Sequence, residues 1–134
     1  MLMGNQPVNI LLVEDNQVDA MAVMHHLGKS HTPNTVTHVL TAGDAWDYLY
    51  KRGKYEDATT PGLILLDLNF PGGNGFEVLE QMNLETGLRD IPVCILTSSE
   101  EEEEDILHAY DSHAVAFISK PVSPQALAGV LKDI

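Results

Sequence analysis

Basic residues are scarce in this 134-residue chain: 7 Lys and Arg stand against 20 Asp and Glu, a formal net charge of −13. Such a balance opposes binding to nucleic-acid backbones or to anionic lipid, because neither polyanion finds the cations it needs. Cys94 is the one cysteine, which excludes an intramolecular disulfide framework. Its place in the apolar run Val93-Cys94-Ile95-Leu96 marks a buried structural thiol rather than a reactive one. No apolar run is long enough to span a bilayer, and the opening Met1-Leu2-Met3-Gly4-Asn5-Gln6-Pro7 lacks the basic and apolar segments of a leader, so the expected location is cytoplasmic. Long polar linkers, internal repeats and low-complexity tails are absent as well. What remains is one domain over 1–134, able to bury roughly two-thirds of its unfolded surface in a single core.

Strand-like and helix-like patterns alternate along the chain. Val8 to Val13 reads as a buried strand, and Asn16 as the N-cap of a helix over Gln17–Lys29. Thr35–Leu40 reads as the second strand. Ala42, Ala45, Trp46 and Leu49 keep the spacing of a helix with one face on a sheet, with Trp46 as its packing anchor. Leu63–Leu66 is the third strand, Phe76, Leu79 and Met82 mark the third helix, and Val93–Leu96 is the fourth strand. The acidic run Glu100–Asp105 opens a helix carrying Ile106, Leu107 and Tyr110, where the helix dipole favours acids in the first turn. Ala114–Ser119 is strand five. Ser123 caps the last helix with Pro124 at its first position, and Leu127, Val130, Leu131 and Ile134 form its inner face. Right-handed crossovers make this an α/β domain of three layers, αβα, with a five-stranded parallel sheet.

Three of the apolar runs end in chemistry. The first ends in Glu14-Asp15, the third in Asp67 and the fifth in Lys120. In an open α/β sheet the ligand crevice lies outside the carboxyl ends of the strands, so these residues are expected to share one pocket. Crowded carboxylates repel, and a divalent cation between them relieves the repulsion; hard Mg²⁺ prefers oxygen donors, with water or phosphate oxygens completing its shell. Lys120 adds a positive charge on the opposite side of an incoming phosphoryl group. Asp67 is the expected nucleophile, because the turn Pro71-Gly72-Gly73-Asn74-Gly75 behind it keeps bulky atoms away. Thr97 ends strand four, where its hydroxyl can meet a phosphoryl oxygen. The six histidines show no zinc-site spacing, and His25 and His26 point to different faces of one helix.

Taken in order, Glu14-Asp15, Asp67-Leu68-Asn69-Phe70-Pro71 through Gly75, Thr97-Ser98 and Lys120-Pro121 resemble the signature of response-regulator receiver domains over residues 8 to 134. The resemblance implies a flavodoxin-like strand order 2-1-3-4-5. It implies that Asp67 takes a phosphoryl group from a sensor histidine kinase, that Asp15, Asp67 and the Asn69 carbonyl bind Mg²⁺, and that Glu14 acts on the metal through water. Lys120 would contact the acyl phosphate, the Lys120-Pro121 bond would be cis, and Thr97 with Phe117 would form a switch pair. Two residues depart from the family's usual pattern. Ser98 stands where Ala or Gly is common and would narrow access to the phosphate, slowing dephosphorylation; Asn74 stands where many members have Asp, with the same turn geometry. The loop Lys51–Pro61, together with Leu66-Asp67-Leu68-Asn69 and Arg89-Asp90-Ile91-Pro92, is similar to single-domain regulators paired with bacterial phytochromes.

Three functions fit these residues. One is a phosphorylatable receiver, not an enzyme toward free substrates, which acts on a downstream protein or through a homodimer. The second is an aspartyl-phosphate phosphatase, which would need another acid two positions after Asp67, where Asn69 stands. The third is an interaction module that is never phosphorylated. The first helix is apolar around most of its circumference, at Val18, Ala20, Met21, Ala22, Val23 and Met24, which suits either a loop covering its second face or a kinase-docking patch. The docking alternative predicts that Met21→Glu slows transfer from the kinase and spares small phosphodonors.

Overall fold

The computed structural model describes residues 6–70, 73–97 and 114–134. Five parallel strands form the central sheet: β1 (Val8–Val13), β2 (Asn34–Val39), β3 (Leu63–Asp67), β4 (Val93–Thr97) and β5 (Ala116–Ser119), in the order β2-β1-β3-β4-β5. The helices among the described residues are α1 (Gln17–Gly28), α2 (Ala42–Leu49), α3 (Gly75–Asn83) and α4 (Pro124–Asp133). This is the expected flavodoxin-like α/β architecture. The helix expected from Glu100 onward, and Ser98, lie outside the described residues.

Strand alternation divides the core into two halves. Leu11, Val13, Ile64, Leu66 and Ile95 face α2 and α3, while Ile10, Leu12, Leu63, Leu65, Cys94 and Leu96 face α1 and α4. Both faces of β3 are fully buried, as a central parallel strand requires. Burial pushes the Cys94 thiol up to about 12, so it packs as a small apolar group.

The caps fall where the sequence places them. Asn16 Oδ1 accepts from the Asp19 N–H at 3.0 Å, and Ser123 Oγ accepts from the Ala126 N–H at 3.1 Å. Several boundaries differ from expectation. Strand β2 starts at Asn34 and stops at Val39, one residue earlier than its apolar pattern suggests. Helix α1 ends at Gly28, with Lys29 as its C-cap. Strand β5 starts at Ala116, two residues late, although Val115 N–H already donates to the Val93 carbonyl. Trp46 is only partly buried and stacks on Tyr50, so the anchors of α2 are Ala45, Tyr48 and Leu49.

Of the two fates open to the second face of α1, exposure is the one observed. Ala20, Val23 and Leu27 are buried, whereas Val18 and Met21 are 75% and 66% exposed. The neighbouring rings of His25 and His26 meet edge to face at 5.8 Å. None of the described helices is long and apolar enough to cross a membrane.

Candidate functional site

Glu14 follows β1 directly, and its N–H extends the β1–β2 ladder by donating to the Val39 carbonyl at 3.1 Å. Alternation sets it in step with Ile10 and Leu12, on the side of α1 and α4, and its side chain is completely buried. Asp15, the next residue, is exposed. Asp67 ends β3 in step with Leu63 and Leu65, on the same side as Glu14, and is buried. Adjacent parallel strands bring these ends together: Val13 pairs with Leu66. Carboxylate oxygens of Glu14, Asp15 and Asp67 all lie within 4.8 Å of one another. The three acids read from the sequence therefore meet.

Lys120 joins them from the end of β5. Its Nζ lies 2.7 Å from Glu14 Oε2 and 3.5 Å from Asp67 Oδ2. As expected of residues that share one pocket, its ammonium sits among the acids. Its backbone is held by an N–H donated to the Thr97 carbonyl at 2.6 Å, and the Lys120–Pro121 peptide is cis. Burial alone would lower the lysine's pKa, but Glu14, Asp67 and Asp19 outweigh it and hold the ammonium firmly protonated.

Glu14 carries the opposite strain. Burial is the largest influence and pushes its carboxyl up to about 7, against the lowering effects of Lys120 and of the Asn16 N–H, which donates to Oε1 at 3.1 Å. Oε2 is buried and accepts no well-aligned hydrogen bond from the described residues; the nearby ammonium compensates it as a charge only. A buried carboxylate oxygen left without a donor is costly. A hard cation among these three acids would satisfy it, so the donor set fits a divalent metal ion.

Thr97 ends β4 and is buried. It falls in step with Ile95, whose register partner on β5 is Phe117, and the Phe117 ring packs on that half of the core. Thr97 and the Phe117 ring thus belong to one face of the sheet. Asn69 begins a two-residue antiparallel ladder, pairing with Asn74, immediately beyond Asp67. Gly75 closes that loop by donating its N–H to the Leu68 carbonyl at 2.7 Å. A Cβ there would fall 2.7 Å from the Asp67 carbonyl oxygen and 3.1 Å from Leu68 Cα, so only glycine permits this approach.

Two contributors escaped the sequence reading. Asp19, in the first turn of α1, places Oδ2 3.2 Å from Lys120 Nζ. Its place in the first turn of the helix that directly follows Glu14-Asp15 is the signal that could have found it. His38 on β2 places Nε2 2.7 Å from the Glu14 carbonyl; the carbonyl accepts, so that nitrogen carries the proton. Nothing in the local pattern around His38 marks it.

The family model described as response regulator receiver domain matches residues 10–132. The response regulator Rcp1 of Synechocystis sp. is 36% identical over 117 residues, covering 87% of this chain and 79% of Rcp1. Among solved structures, the phosphorylated cyanobacterial phytochrome response regulator RcpA is 38% identical with a TM-score of 0.81, covering 96% of this chain and 91% of RcpA. The Mn²⁺-bound form of Rcp1 is 34% identical with a TM-score of 0.80, at the same 96% and 91% coverage.

Proposed function

This chain belongs to the response regulator receiver domain family, and we propose that Asp67 accepts a phosphoryl group from a sensor histidine kinase, of phytochrome type, in a Mg²⁺-dependent reaction. The observation that carries the reading is the meeting of Glu14, Asp15 and Asp67 within 4.8 Å, with Lys120 against two of them. The relatives support it: one was solved phosphorylated, and another with a divalent metal bound.

Asp15 and Asp67, with the Asn69 carbonyl, would hold Mg²⁺, and Glu14 would act on it through water. When bound, the ion neutralises charge on the phosphoryl oxygens. An Asp67 carboxylate oxygen attacks phosphorus in line with the phosphorus–nitrogen bond of the donor phosphohistidine; that bond breaks, and the imidazole leaves as the phosphoryl group becomes an acyl phosphate. Lys120 turns its ammonium to a phosphoryl oxygen, and the Thr97 hydroxyl donates to another. Phe117 fills the space the hydroxyl vacates, which shifts the population of two existing arrangements.

The changed surface is that around β5 and α4, where the flanking Val115 and Ile134 are exposed, and it engages a downstream protein or a second copy of the chain. Activity stays self-directed, limited to acceptance and slow loss of the phosphoryl group, because Asn69 stands where turnover on free substrates would need an acid. An acidic protein of this kind suits the cytoplasm, where its donor is made.

Incubation with Mg²⁺ and acetyl phosphate, read by intact mass, tests the assignment. The expected product carries one phosphoryl group, lost in Asp67→Asn and in chelator. Continuous hydrolysis of acetyl phosphate without a modified protein would favour the phosphatase, and no mass change would favour the unmodified interaction module.

A further inference from the structure

We propose that Asp19 is a positioning residue for phosphoryl transfer: from helix α1 it draws the Lys120 ammonium toward the rim of the acid cluster and keeps the space among Glu14, Asp15 and Asp67 open to a divalent ion. The inference rests on Asp67 being the phosphoacceptor, and it gives α1 a part in the chemistry.

Three carboxylates surround the ammonium, Glu14 at 2.7 Å, Asp19 at 3.2 Å and Asp67 at 3.5 Å, and it donates a hydrogen bond to Asp19 Oδ2 while meeting Glu14 Oε2 as a charge. Their exposure orders them from inside to outside. The side chains of Glu14 and Asp67 are 0% and 7% exposed, and that of Asp19 is 42% exposed. Two of the three are also the acids a metal needs. A lysine paired with those two alone would be drawn inward as a resident competitor for the cation. Asp19 supplies the outward pull. The small cleft between α1 and the Lys120–Val122 turn, about 130 Å³, contains no other carboxylate in its lining.

Asp19 is well mounted for this task. Its N–H is fixed by the Asn16 cap, and the next residue, Ala20, is fully buried. The backbone that carries the carboxylate therefore cannot move inward without unseating the first turn of α1. A bland role is available too, since any acid in a first turn gains from the helix dipole. That gain does not depend on Lys120, and so the two roles part in a double-mutant cycle.

The experiment compares the full chain with Asp19→Asn, Lys120→Met and the double variant. Mg²⁺ affinity is read by calorimetry, and acyl-phosphate formation from acetyl phosphate by intact mass. Asp19→Asn is expected to weaken Mg²⁺ binding about threefold and to slow phosphorylation by a similar factor, the size of effect a partly exposed ion pair can exert. Asp19→Glu restores most of both. With Met at position 120, the Asn substitution at 19 leaves Mg²⁺ affinity where it was. Equal weakening in both backgrounds would overturn the proposal in favour of a general field effect, as would no weakening in either. A parent protein that is phosphorylated normally, with Asp19→Asn indistinguishable from it, sinks this inference alone. A parent that binds Mg²⁺ but takes no phosphoryl group removes the reading of Asp67 and this inference with it.

Discussion

At the amino ends of the strands, Asn9 donates to Tyr48 Oη and to the Thr59 carbonyl, each at 2.8 Å, while Tyr48 donates to the same carbonyl at 3.2 Å and Thr35 to Asn9 Oδ1 at 3.3 Å. At the carboxyl ends, Glu14 is buried with one oxygen that accepts no well-aligned hydrogen bond from the described residues, beside two further acids and one lysine. Both clusters are polar and span β1 and its neighbours. The first is neutral and closes on itself, so it needs nothing more and holds α2 and the loop before β3 to the sheet. The second is charged and incomplete: three clustered acids face one ammonium, and the repulsion that remains is relieved by a bound cation or a proton. Within one small domain, hydrogen-bond satisfaction separates the end that stabilises from the end that reacts.

The strongest way to break this contrast is to neutralise the incomplete end. Glu14→Gln should weaken Mg²⁺ binding by about tenfold, the scale expected for a residue that acts on a metal through water, measured by calorimetry. A variant binding Mg²⁺ as tightly as the parent would show that Glu14 has no part in the site.

The pH dependence sharpens the same point. Glu14 sits at about 7 in the fold against an ordinary value of 4.5, so between these values the folded protein holds a proton that the unfolded chain has released. Metal-free stability should therefore fall as pH rises from about 5 to 7, by up to about 1.4 kcal/mol per unit at the steepest. The raised value of Lys120 acts only in the alkaline range, outside this window. Denaturant titrations in chelator check the slope, which Glu14→Gln should remove. Saturating Mg²⁺ should flatten it as well, because the ion displaces the proton. Stability that rises through this window would contradict the burial argument.

The smallest effect belongs to the satisfied end. Tyr48→Phe removes two hydrogen bonds but leaves Asn9 its Thr59 partner, and should cost about 1 kcal/mol of stability. Mg²⁺ affinity and acyl-phosphate formation should not change. If phosphorylation fell with stability, the two ends would not be independent.

Much of this was legible in the sequence, for identifiable reasons. Apolar runs of strand length ending in Glu14-Asp15, Asp67 and Lys120 needed only the rule that parallel strands present their carboxyl ends together. Asn16 and Ser123 were readable as caps because capping is local. What stayed hidden depends on contacts between distant segments. Asp19 looks like any first-turn acid until Lys120, 101 positions later, arrives beside it. Tyr48 is masked in the sequence by the larger Trp46, since periodicity weighs apolar size and does not see that a hydroxyl can reach Asn9. The start of β2 at Asn34 is not legible because the strand's alternation is weak, with only Val39 fully buried.

The acids and the lysine of the site are far apart in sequence: Glu14 follows the first strand of the sheet, Asp67 ends the third and Lys120 follows the fifth. A ribosome-bound chain that has emerged only as far as Asp67 would own the acceptor and its acidic neighbours, yet lack the ammonium that offsets their charge. Competence for the signal would thus wait until Lys120 has been made, after every other residue of the site.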